Sequence, residues 1–89
     1  MQRISIKVYG RVQGIGFRHD VQFKARQLGV RGFVKNMPDG SVYVEAEAGE
    51  KALNDFVLWL RDGSRIARVE NLETEVIPVQ NSSGFDIRH

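Results

Sequence analysis

Cysteine is absent from the 89 residues. That one absence removes disulfide frameworks, thiolate metal centres and cysteine nucleophiles together, so stability has to come from packing. It also agrees with a reducing cytosol, and the location expected from it is cytoplasmic. No stretch approaches the roughly 20 apolar residues of a membrane span, so no membrane partner is expected. The opening MQRISIKVYG alternates polar and apolar residues, whereas a signal peptide has a basic segment followed by an apolar run. Glycine is nowhere followed by lysine, which excludes a Walker phosphate loop. Histidine occurs only at His19 and His89, and no histidine or carboxylate cluster has metal-ligand spacing, so no metal is expected. Internal repeats, low-complexity segments and linkers are lacking too. Residues 1–89 therefore read as a single domain, which at this size buries about 60–70% of its extended-chain surface.

The 13 basic residues nearly match the 11 acidic ones, for a net charge of +2 and a pI near 9.3. Their distribution says more than their sum. Between positions 11 and 35 lie Arg11, Arg18, Lys24, Arg26, Arg31 and Lys35 against the single acid Asp20. The later half holds most of the carboxylates. This asymmetry favours a small anion near the first half, although a basic surface face explains it as well.

Periodicity gives the order of elements. Ile4, Ile6 and Val8 alternate with Ser5, Lys7 and Tyr9, the period-two pattern of a strand with one buried face. From Phe17 the apolar residues Phe17, Val21, Ala25 and Leu28 repeat at helical spacing, and Gly29 ends the run. Val30 to Asn36 reads as a strand, Met37-Pro38-Asp39-Gly40 as a turn and Ser41 to Glu47 as the returning strand of a hairpin. Ala52, Leu53, Phe56, Val57 and Leu60 mark a second helix starting near Glu50 and stopping at Gly63 and Ser64. A further strand lies within Ile66 to Val79, with Pro78 at an edge or exit, and Phe85 to Arg88 can add a short last one. The expected architecture is α+β, a ferredoxin-like βαββαβ sandwich with two helices packed on one face of an antiparallel sheet.

Between the first strand and the first helix runs GRVQGIGFR, Gly10 to Arg18, with glycines at 10, 14 and 16. Glycines let a loop turn its N–H groups to one side, and a helix N-terminus adds partial positive charge, so the stretch suits an anion. Arg18 falls in the first helical turn, where a cation costs the helix roughly 0.3–1 kcal/mol. Its planar guanidinium can grip two oxygens of one phosphate, which lysine cannot do. A dinucleotide fingerprint from Gly14-Ile15-Gly16 would need glycine or alanine at position 19 and meets His19.

The same stretch resembles the first signature of the acylphosphatases, G-x-V-Q-G-x-x-F-R, with every fixed position filled. The second block of that family is similar to Gly32-Phe33-Val34-Lys35-Asn36 with Gly40 and Val42; the chain departs from it at Ala48, where the family usually has glycine. The ending FDIRH also resembles the family's, so the likeness spans essentially the whole chain.

The resemblance implies the ferredoxin-like plan and hydrolysis of acyl phosphates to carboxylate and inorganic phosphate. It implies a phosphate site formed by Gly10, Arg11, Val12, Gln13, Gly14, Ile15, Gly16 and Arg18, with Arg18 and Asn36 as the catalytic pair. Arg18 would grip the phosphate, and Asn36, otherwise an ordinary turn former, would hold the attacking water. No histidine has a role in the family, and no cofactor is implied. The expected partners are a small acyl phosphate and inorganic phosphate or a similar anion, with no nucleic acid, and the expected state is a monomer.

Two other readings remain at the level of sequence. A non-catalytic or regulatory domain could keep the anion cradle without turnover. An RNA-binding sheet could use Tyr9 and Tyr43, and Arg31-Gly32-Phe33-Val34 weakly resembles an RNA-reading octamer. That octamer wants further aromatics where Lys35 and Pro38 stand. Glu45, Glu47, Glu70, Glu73 and Glu75 read as residues of solvated strand faces, and Trp59 as helix packing.

Overall fold

The computed structural model describes residues 1–62 and 66–89. In chain order the elements are β1 (Gln2–Arg11), α1 (Phe17–Leu28), β2 (Arg31–Asn36), β3 (Val42–Ala48), α2 (Glu50–Asp62), β4 (Arg68–Ile77) and β5 (Phe85–Arg88). The stop expected at Gly63 and Ser64 lies outside the described residues. The strands form one sheet in the order β4-β1-β3-β2-β5. As expected, β1 to β4 pair antiparallel and β2 and β3 form a hairpin. The sheet is nevertheless mixed, because β5 joins the outer edge of β2 in the parallel sense. Parallel neighbours need a long connection, and the chain between β2 and β5 supplies it by way of β3, α2 and β4.

Alternation decides which residues face the helices. Ile6 and Val8 of β1, Val34 of β2, Val42, Val44 and Ala46 of β3 and Phe85 of β5 are buried against Phe17, Val21 and Ala25 of α1 and Leu53, Phe56 and Leu60 of α2. The helices also touch each other, with Phe17 stacked on Trp59 at 6.4 Å between ring centroids. The amide of Gln22 and the guanidinium of Arg26 both donate to the Phe85 carbonyl, at 3.0 and 3.3 Å, and so tie α1 to β5.

Two signature glycines serve the sheet itself. At Gly32, with φ at +141°, a Cβ would sit 1.9 Å from the Glu45 carbonyl oxygen of β3; at Gly10, with φ at +134°, it would sit 2.1 Å from that of Arg68 in β4. Both positions require glycine because backbones approach where a side chain would stand. The β1–β4 register also shifts between Tyr9 and Gly10. Ala48 ends β3 opposite Gln2 and is buried, so the departure from the family's usual glycine is absorbed within the ladder.

The other sheet face corrects one expectation. Glu47 is 1% exposed, not solvated, and Arg3, two residues before Ser5 in β1, is also 1% exposed. Arg3 bridges Glu45 at 2.9 Å and Glu47 at 3.3 Å. The segment between β4 and β5 closes over them: the N–H groups of Gln80 and Ser82 donate to Glu47 at 2.7 and 3.1 Å, and Arg3 donates to the Ser82 hydroxyl at 2.9 Å. Strand alternation marks Glu47 as off the core but cannot show that a later segment returns to cover it.

Candidate functional site

β1 ends at Arg11 and α1 begins at Phe17, so Val12 to Gly16 must turn the chain from sheet to helix. Gly14 and Gly16 make the turn in left-handed geometry, with φ at 77° and 83°. Gly16 stands at the N-cap of α1, where no side chain caps the helix. The N–H groups of Gln13 to Gly16 meet no hydrogen-bond acceptor among the described residues. Unpartnered amides next to an uncapped helix N-terminus are donors of the kind that suits an anion.

Asn36 reaches this loop by parity. It follows Gly32 and Val34 at intervals of two, so it lies on the helix-facing side of β2 at the end nearest the start of α1. A cavity of about 200 Å³ is lined by Val12, Gly14, Gly16, Phe17, Arg18, His19 and Asn36. Among the described residues, Asn36 Oδ1 is the one buried side-chain nitrogen or oxygen without a hydrogen-bond partner. Buried acceptors are rarely left unpaired, because stranding one costs about 1–3 kcal/mol. Asn36, which carries this orphan acceptor, also lines the cavity.

Arg18 lines the same cavity, and its Nη1 donates to the Arg88 carbonyl oxygen at 3.1 Å and lies 3.3 Å from His89 Nδ1. Its remaining guanidinium donors have no acceptor among the described residues and are available to a ligand. The end of β5 thus orients Arg18, a contribution no local pattern announces. His19, set aside in the sequence, also lines the cavity, at its exposed rim.

The residues expected to bind phosphate divide. Val12, Gly14, Gly16 and Arg18 meet around the cavity. Gly10 and Arg11 belong to β1, paired with Val69 and Arg68 of β4, so the loop proper starts two residues later than expected. Gln13 turns its side chain away to the β2–β3 turn, where Nε2 is 2.8 Å from both Met37 O and Ser41 O. Ile15 packs against the core and contributes to the loop through its backbone. No group of three metal-ligating side chains occurs among the described residues. On the open sheet face Arg88 covers the Phe33 ring at 3.8 Å, and the hydroxyls of Tyr9 and Tyr43 donate to Glu73 and Glu45.

The acylphosphatase family model matches residues 4–87. The chain belongs to the acylphosphatase family. It is 42% identical over 90 residues to an acylphosphatase of Pseudomonas paraeruginosa, covering 99% of each chain, and 37% identical to one of Archaeoglobus fulgidus over the full length of both. The crystal structure of acylphosphatase from Bacillus subtilis superposes with a TM-score of 0.96 at 37% identity, covering all of both chains. The family match covers every residue that lines the cavity. No helix among the described residues is long and apolar enough to cross a membrane.

Proposed function

We propose that this acylphosphatase-family protein hydrolyses acyl phosphates by direct attack of water on phosphorus. The loop amides of Gln13 to Gly16 and the guanidinium of Arg18 hold the phosphoryl oxygens. Asn36 Oδ1 accepts a hydrogen bond from the water and aims it opposite the leaving oxygen. The bond from phosphorus to the acyl oxygen breaks, the carboxylate leaves with the electron pair, and the water oxygen bonds to phosphorus. With no side-chain base assigned, the water's proton passes to a phosphoryl oxygen. A carboxylate is a good leaving group and phosphoryl transfer passes through a loose transition state, so positioning and charge stabilisation suffice. The mechanism needs neither metal nor cofactor, and we propose that the protein works as a cytoplasmic monomer without a nucleic-acid partner.

The observation that carries this reading is the unpartnered Oδ1 of Asn36, a residue that lines the same small cavity as the loop and Arg18. The test is benzoyl phosphate hydrolysis without added metal, beside isothermal titration with inorganic phosphate. Asn36→Ala should lower kcat by about 10²–10³ while keeping phosphate affinity, and Arg18→Ala should lose both. Phosphate binding by the unmodified protein without hydrolysis would instead make it a non-catalytic anion-binding domain. Undiminished phosphate affinity in Arg18→Ala would overturn the division of labour.

A further inference from the structure

Gln13 occupies a fixed position of the signature loop, yet its side chain is committed elsewhere. A primary amide nitrogen carries two hydrogens, and Nε2 of Gln13 lies 2.8 Å from two acceptors, Met37 O and Ser41 O. Those carbonyls also close the β2–β3 turn, since Met37 N donates to Ser41 O at 2.9 Å and Gly40 N donates to Met37 O at 3.1 Å. Gln13 therefore plugs into the mouth of this turn with both its hydrogens engaged. Met37 directly follows Asn36, so the contact joins the loop amides to the backbone that carries the orphan acceptor.

We infer that the Gln13 side chain has a positioning role: it sets the distance between the phosphate loop and Asn36 and acts on turnover through Asn36, without itself touching the substrate. The inference rests on the water-orienting role proposed for Asn36. A cross-link of this kind matters because a misplacement of about 1 Å in a reacting group can cost 10²-fold in rate. Neither partner carbonyl lies next to Gln13 in the chain; the bonds span 24 and 28 residues.

The experiment is a double-mutant cycle on benzoyl phosphate hydrolysis, with inhibition by inorganic phosphate measured on each protein. Gln13→Met keeps the length of the side chain and removes both donors. It should lower kcat by about 10–100-fold and leave KM and the phosphate inhibition constant within about twofold. In an Asn36→Ala background the same replacement should cost less than about twofold more, because the residue it acts through is gone. A second variant guards against misfolding. Gln13→Glu turns an acceptor toward two carbonyls, so its kcat should be low at neutral pH and recover on acidification, as the protonated acid regains one donor. Weakening of phosphate inhibition in step with kcat would make Gln13 a phosphate ligand and overturn the inference. So would an equal loss in both backgrounds, or a Gln13→Glu profile parallel to that of the unmodified enzyme. Unchanged kcat in Asn36→Ala alone would overturn the water-orienting role and this inference with it, whereas loss there combined with failure of the cycle would overturn only this one.

Discussion

Replacing Gly32 by alanine tests the claim that the second signature block is shaped first by the sheet. An added Cβ would lie 1.9 Å from the Glu45 carbonyl oxygen and 2.8 Å from its carbon, and both are backbone atoms that cannot swing aside. Alanine must also take a φ of +141° or leave it, and a sparsely populated backbone conformation costs roughly 1–3 kcal/mol. Relief by separating the strands sacrifices ladder hydrogen bonds between β2 and its neighbours β3 and β5, at about 1 kcal/mol each. Together these give a loss of about 3–5 kcal/mol out of the 5–15 kcal/mol typical of a domain. At about 4–8 °C per kcal/mol for a domain of this size, the melting temperature falls by roughly 12–40 °C. Thermal unfolding followed by circular dichroism reads this directly, with Gly49→Ala as control, since a Cβ there meets nothing within 4 Å. A Gly32→Ala protein melting within a few degrees of the parent would refute the close-contact argument.

The remaining predictions concern the open face and the core. The Glu47 carboxyl is held below its usual range, chiefly by the Gln80 N–H and also by Arg3 and the Ser82 N–H. A lowered folded pKa stabilises the protein above the ordinary value of 4.5 and loses that contribution as pH falls through the folded value. The urea midpoint of Glu47→Gln should thus lie below that of the parent at pH 7, and the gap should narrow below about pH 4.5; a constant gap from pH 7 to 3 would refute it. Phe56 is fully buried and meets Phe85 edge-on at 6.1 Å. Phe56→Ala should cost about 3–5 kcal/mol in urea unfolding, and a loss under about 1 kcal/mol would mean that the core collapses around the gap.

Local pattern carried much of the fold. The alternation of Ile4, Ile6 and Val8, the helical spacing from Phe17 and the Pro38-Asp39-Gly40 turn each report on one face of one element, and burial follows them. What stayed hidden depends on partners far along the chain. Nothing near Phe85 says that its strand runs parallel to β2, and nothing near Glu47 announces Gln80 and Ser82. In the site, Arg18 and Asn36 stood out through the signature, whereas the seating of Arg18 on Arg88 and of Gln13 on Met37 and Ser41 spans distances that no motif encodes. Gly10 carries a demand that the motif does not announce: the close approach of β4 leaves no room there for a side chain.

The strand order has a kinetic consequence. Among the described strands only β2 and β3 are neighbours both in the chain and in the sheet, so one hairpin can zip locally while every other pairing waits for a long segment to close. Assembly dominated by such distant pairings is slow, roughly in the range of milliseconds to seconds. Because the end of β5 seats Arg18 and Asn36 stands at the end of β2, the two meet at the cavity only when distant parts of the chain have paired.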